Sequence, residues 1–223
     1  MPVLTQIAPS GAARTVGQPD ALDLLEQFGT TLRVSRDEEV YAEGDPADYC
    51  CRVISGCIRT VRLMEDGRRQ VGEFLLEGDL FGLEDVGTHD FSAEAVTDSV
   101  VRRYPRRMIE ALAETRPALS RRLRELMQAG LRAAHERLLR LGRKTATERI
   151  ASFLAEMDRR SAHAGPTFLE LPMGRADIAD HLGLTVETVC RVLAAMKRDG
   201  VVGIARTGVE LRDRRALRAL GAE

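Results

Sequence analysis

The alternation of apolar and polar positions divides the chain into stretches of different period. Between residues 21 and 100 the β-prone runs are short: "RVIS", "CIRTVRLM", "RQVGEFLL" and "SAEAVTDSVVRRY". Gly44, Gly56, Gly67 and Gly78 punctuate them at intervals of twelve, eleven and eleven residues. Short strands at that spacing predict a sandwich or barrel built from hairpins, and Asp66-Gly67 is a good hairpin-turn dipeptide. Residues 1–20 are small, polar and broken by Pro and Gly, which predicts a mobile tail.

The period lengthens after Pro117. In "PALSRRLRELMQAGLRAAHERLLRL", Leu119, Leu123, Leu126 or Met127, Gly130, Ala133 or Ala134, Leu138 and Leu141 recur at three- and four-residue steps, the period of a helix. Such a helix would run about 37 Å, longer than one globular domain needs. Arg121, Arg122, Arg124, Glu125 and Arg137 flank the apolar stripe, and the small residues at its middle would let a second helix approach. This predicts a two-fold helix pair between subunits, with Leu119, Leu123, Leu126, Gly130, Ala134 and Leu138 at the interface. A second helix follows in "GRKTATERIASFLAEMDRRSA", with Ile150, Phe153, Leu154 and Met157 inward. "HAGPTFLELPMG" reads as a loop.

The last block carries the chemistry. In Arg175–Leu182, Ile178, Ala179 and Leu182 form one apolar face, and Gly183 suits the left-handed backbone of a tight interhelical turn. Thr185 is placed to cap the next helix, with Glu187 favourable in its positive first turn. Val189, Val192, Leu193 and Met196 form that helix's buried stripe. Glu187, Cys190, Arg191 and Ala194 share the opposite side. Two short helices of this kind, followed by a hairpin around "ARTG", predict a winged helix-turn-helix whose second helix enters the DNA major groove N-terminus first. There an arginine can bond guanine O6 and N7 together, and a glutamate can accept from the cytosine amine. Without DNA, Glu187 and Arg191 at i, i+4 would pair with each other.

Composition limits the alternatives. The chain has 223 residues, 44% hydrophobic and 30% charged, ample for a real core. No apolar run approaches the ~20 residues that cross a bilayer, and no basic-then-apolar leader opens the sequence. Four cysteines in this length do not make a disulfide framework, so a reducing cytoplasm is expected. A net charge of −1 excludes a polycation, so contact with nucleic acid must come from a local basic face.

The order of barrel, long helix and winged helix-turn-helix, together with "RADIADHLGLTVETVCRVLAAMKRDGVV", resembles the CRP/FNR superfamily of bacterial transcription regulators. "YAEGDPADYCCRVISGCIRTVRLMEDGRRQVGEFLLEGDLFG" resembles that family's barrel, and the likeness runs from about residue 21 to 213. The expected fold is therefore α+β. A tail (1–20) precedes a cyclic-nucleotide-binding-like jelly-roll barrel (21–115), a dimerisation helix (116–142) and a winged helix-turn-helix (143–223). The motif is nearest the FNR and FixK-like branch. The cyclic-AMP-binding branch usually has an arginine where Val186 stands, so the resemblance implies a TTGAT half-site. It also implies double-stranded DNA, a second copy of the chain and RNA polymerase as partners, with barrel loops such as "LEDVGTHD" as candidates for the polymerase contact. Glu187 and Arg191 would carry the main base contacts with Cys190 between them. Arg175, Thr185, Thr188 and Lys197 would contact phosphates, which position the domain without specifying sequence.

The barrel departs from the family's sensors. Its cyclic-nucleotide branch holds the phosphate with a Gly-Glu pair and an arginine. Here Leu83 separates Gly82 from Glu84, and Asp90 and Phe91 stand where the arginine is expected. An acid beside a phosphate repels it. The oxygen sensors of the family bind an iron–sulfur cluster through closely spaced N-terminal cysteines, yet residues 1–49 contain none. Cys50 and Cys51 are adjacent in a strand and would face opposite ways, which predicts small buried hydrophobes. His89 alone does not make a haem or cupin metal site. No cofactor and no enzymatic activity are expected; the alternative is a ligand-gated regulator with an unidentified small-molecule or redox effector. Cys190 stands where the family most often has serine. An exposed, arginine-flanked thiol near a helix N-terminus is a candidate redox switch.

Overall fold

The computed structural model describes residues 21–83, 87–161 and 167–222. The expected tail, 1–20, and the middle of the "LEDVGTHD" loop lie outside them. A 3-10 helix, Ala21–Phe28, precedes eight strands: β1 (Thr30–Val34), β2 (Glu39–Tyr41), β3 (Tyr49–Ser55), β4 (Ile58–Leu63), β5 (Arg69–Leu75), β6 (Leu80–Phe81), β7 (Ser92–Ala95) and β8 (Ser99–Pro105). They form two sheets ordered β1-β8-β3-β6 and β2-β7-β4-β5. Among the described barrel strands, β4 and β5 are the one pair consecutive in both chain and sheet. Their turn contains Asp66-Gly67, closed by Gly67 N to Met64 O at 2.9 Å. Elsewhere the chain crosses from sheet to sheet, so the barrel is a jelly roll and not a stack of hairpins. The run "SAEAVTDSVVRRY" accordingly breaks into β7 and β8, which lie in different sheets.

Strand alternation sorts the cysteines. Cys50 packs beneath the barrel with Leu22, Leu25, Tyr104 and Ile109, whereas Cys51 faces inward with Val53, Ile58 and Val101. Cys57 joins a third cluster. All three are buried, and burial pushes the Cys51 and Cys57 thiols up to about 12. They serve as small hydrophobes.

Two helices follow, α1 (Arg106–Thr115) and the long α2 (Pro117–Arg143). Pro117 opens α2, where its missing N–H costs nothing. The 27 residues give about 40 Å. Leu119 is fully buried against Leu22, Leu25, Tyr104 and Ile109 of its own barrel, and Leu123 and Leu126 lean on the same cluster. Leu119 therefore has no surface left for a partner, contrary to the sequence expectation. Gly130, Ala134 and Leu138 are exposed, as are Met127 and Leu131.

The C-terminal unit comprises α3 (Ala146–Arg160), β9 (Phe168–Glu170), α4 (Arg175–Leu182), α5 (Val186–Arg198), β10 (Val202–Ile204), β11 (Gly208–Leu211) and α6 (Arg214–Ala222). A capping box at Thr145 and Glu148 starts α3. The segment read as a loop contains β9, which pairs with β11 and widens the wing to three strands. A Cβ on Gly208 would lie 2.1 Å from Leu169 O, so this crossing requires glycine.

The unit does not hang free. Phe74, Val61 and Val71 of the barrel share one core with Ile150, Phe153 and Leu182. Phe74 meets Phe153 edge-on, with ring centroids 6.0 Å apart. Each such side chain contributes about 2 kcal/mol by burial.

Candidate nucleic-acid interface

Local signals fix the two helices. At α4, the Asp177 carboxylate accepts from Gly174 N at 3.2 Å. Gly183 ends the helix at φ 61, ψ 44, and Leu184 N returns to Ala179 O at 3.0 Å. Thr185 then caps α5, its hydroxyl accepting from Thr188 N at 3.1 Å; such a cap is worth about 1 kcal/mol. Val189, Val192, Leu193 and Met196 are buried, as the periodicity predicts.

The outward face carries the expected trio. Arg191 and Glu187 are 68% and 86% exposed, and their single contact is 3.7 Å. An exposed i, i+4 pair of this kind is worth about 0.3 kcal/mol, too little to hold either side chain against a ligand. Arg191 Nη2 also reaches Thr188 Oγ1 at 3.4 Å. Cys190 is exposed between them, and Val186 is 45% exposed at the helix start. One helical face therefore offers an acceptor, a thiol and a guanidinium together.

The four phosphate candidates are placed less uniformly. Lys197 is exposed in the last turn of α5. Thr185 and Thr188 flank the helix start, their hydroxyls 2.9 Å apart within the cap. Arg175 is half-buried in the first turn of α4, a different helix. Sequence reasoning did not single out Arg206, which stands exposed in the turn between β10 and β11. The "ARTG" turn was its only signal.

The opposite side of the unit is closed. Asp177, Asp180 and His181 lie on one face of α4, turned to the barrel. Arg59 Nη1 and Arg69 Nη2 meet Asp177 Oδ1 at 3.1 and 2.7 Å, and Arg69 also reaches Asp180 Oδ2 at 2.9 Å. Burial disfavours the charged form of Arg59, but Glu94, Asp177 and Asp37 outweigh it and hold its pKa above the ordinary value. His181 packs between Phe74 and Phe153 with Nδ1 3.2 Å from Val71 O. Burial, then the Arg137 charge, lowers its pKa to about 4.

Among the described residues no three or more His, Cys, Asp or Glu side chains group as metal ligands. No described helix is long and apolar enough to cross a membrane. The Arg106 guanidinium donates to Ala47 O at 2.7 Å, to Leu83 O at 3.2 Å and to Gly82 O.

Known proteins share this architecture. The model of the Crp-like helix-turn-helix domain matches residues 148–220, and that of the cyclic nucleotide-binding domain matches residues 31–116. The chain is 43% identical over 201 residues to the nitrogen fixation regulation protein FixK of Azorhizobium caulinodans, spanning 88% of this chain and 81% of that one. It is 38% identical over 191 residues to the transcriptional activator protein FnrL of Cereibacter sphaeroides, spanning 83% and 77%. The solved structure of FixK2 from Bradyrhizobium japonicum superposes with a TM-score of 0.83 at 44% identity, over 87% of this chain and 98% of that one.

Proposed function

The chain belongs to the CRP/FNR family of transcription regulators, in its FixK branch, and from that premise we propose a homodimeric activator that reads a TTGAT-N4-ATCAA-type palindrome. The family consists of DNA-binding regulators, not enzymes. Each α5 enters a major groove, two half-sites lying about one helical turn apart. Arg191 bonds guanine O6 and N7, and Glu187 accepts from the cytosine amine. Arg175, Thr185, Thr188 and Lys197 grip phosphates. One observation carries the reading: Glu187 and Arg191 are largely exposed and only loosely held, 3.7 Å from each other, on a helix whose other side is buried.

The dimer reading rests on α2. Met127, Leu131, Ala134 and Leu138 are exposed at alternating steps of four and three, a coiled-coil seam, with Gly130 beside it. The relatives' names, a nitrogen fixation regulation protein and a transcriptional activator protein, support the activator reading; control of oxygen- or redox-responsive genes and contact with RNA polymerase are part of the same proposal. A hollow of about 230 Å3 is lined by Tyr41, Tyr49, His89 and Arg103.

Cys190 adds a further proposal. The Cys190 thiolate attacks one oxygen of hydrogen peroxide, the O–O bond breaks and hydroxide leaves, giving a sulfenic acid whose added oxygen blocks approach of α5 to the bases. A Cys190→Ser protein that stays as peroxide-sensitive as the wild type contradicts this. The main reading is tested by gel shift on the palindrome and on a version with both half-site guanines exchanged. Tight binding to the first alone is expected, and equal binding to both overturns it.

A further inference from the structure

The acidic face of α4 is unexpected in a DNA-binding unit, because phosphates repel it. Asp177, Asp180 and His181 stand at i, i+3 and i+4, which places them on one side of the helix. All three are engaged by the barrel. Arg69 bridges Asp177 and Asp180 at 2.7 and 2.9 Å. Arg59 reaches Asp177 at 3.1 Å while Glu94 anchors it from behind at 2.7 Å. Gln70 Nε2 donates to Asp180 O at 2.7 Å, and the His181 ring meets Val71 O at 3.2 Å.

The covalent route from α2 to this unit is short. After Arg143 the backbone is extended at Lys144 (φ −83, ψ 143) and at Thr145 (φ −67, ψ 166), and α3 begins at Ala146. Arg149 staples this hinge, donating to Leu141 O, Lys144 O and Leu182 O at 2.8, 2.9 and 2.9 Å. Leu182 is the C-terminal end of α4. One fixed end leaves a helix free to swing; two fixed ends define its axis. The shared apolar core holds α4 against the barrel along its length, and near its other end Asp177 is held from β4 and β5 by directional bonds. α5 is joined to α4 through the tight turn at Gly183, so it follows that axis.

We infer that Arg59 and Arg69 are positioning residues: by clamping Asp177 and Asp180 they set the direction of α5 relative to the barrel and α2, and so the half-site spacing that the dimer accepts. This rests on the palindrome reading above. The sensitivity follows from DNA geometry. Inserting one base pair moves a half-site by about 3.4 Å and turns it by roughly 35°, so a fixed α5 rejects it and a swinging one does not.

The test compares full-length wild type, Arg69→Gln, Arg69→Lys and Asp180→Asn on palindromes whose spacer is one base pair shorter, native or one longer, and on a single half-site. Wild type should prefer the native spacer by about tenfold or more. Arg69→Gln and Asp180→Asn should reduce that preference several-fold, mainly by tolerating the wrong spacers, with half-site binding retained. Arg69→Lys, which keeps the charge, should restore part of it. An unchanged spacer preference in both neutralising variants overturns the clamp, as does an equal loss on every DNA, which marks a purely structural role. A wild type with no preference for the palindrome over a half-site overturns the dimeric reading itself.

Discussion

The two helices of the helix-turn-helix carry similar residues to opposite ends. On α4, Asp177 is buried and shared by two arginines, and Arg59 is only 7% exposed. On α5, Glu187 and Arg191 face solvent with one loose contact between them and one long bond from Arg191 to Thr188. Charges that maintain the protein's own shape are paired, desolvated and multiply bonded. Charges available to another molecule are left nearly unpaired, because every partner inside the protein would have to be given up on binding. The difference between the two faces is therefore a guide to which face meets DNA.

The comparison breaks most visibly at Asp177. Replacing it with alanine removes two charge-assisted bonds, from Arg59 and Arg69, and a cap from Gly174, at a cost of about 3 kcal/mol. Calorimetry should show a fall in Tm of around 10 °C, while discrimination between the correct and exchanged guanine persists. A change in Tm of under about 2 °C would show that the clamp is not holding.

The same closed face makes stability depend on pH. His181 is held neutral, its pKa lowered to about 4 by burial and the Arg137 and Arg140 charges, with Glu156 and Val71 O opposing. Its contribution is complete above the ordinary value near 6.5 and declines as pH falls from there towards 4. The slope from this group is at most about 1.4 kcal/mol per pH unit. Denaturant titrations at pH 7 and pH 5 should show that loss, and His181→Phe should remove this part of it. An equally steep decline in the variant would place its origin elsewhere.

The smallest effect is expected at Lys197, exposed at the far end of α5. Lys197→Ala should weaken binding to all sequences alike and flatten the salt dependence by about one unit of slope. A change confined to one base position would move Lys197 from the phosphates to the base edges.

What the sequence made legible follows the range of the interactions involved. The Thr185 cap, the Gly183 turn and the apolar stripe of α5 act within a few residues, so their pattern is readable along the chain. β1 and β9 owe their existence to partners far away: β1 pairs with β8 and β9 with β11. The Arg59–Asp177 bond spans 118 residues, and no local period announces it. Leu119 shows a subtler limit. Its place in the helical repeat was correct, but periodicity cannot tell whether an apolar face meets its own barrel or a second chain.

The most direct test of the open face is Arg191→Ala, measured by binding to the palindrome and to versions with each half-site base pair exchanged in turn. The variant should lose about 1–3 kcal/mol on the native site and no longer distinguish the guanine, with Tm unchanged. Discrimination that survives intact at that base would contradict the assignment of α5 as the reading helix through Arg191.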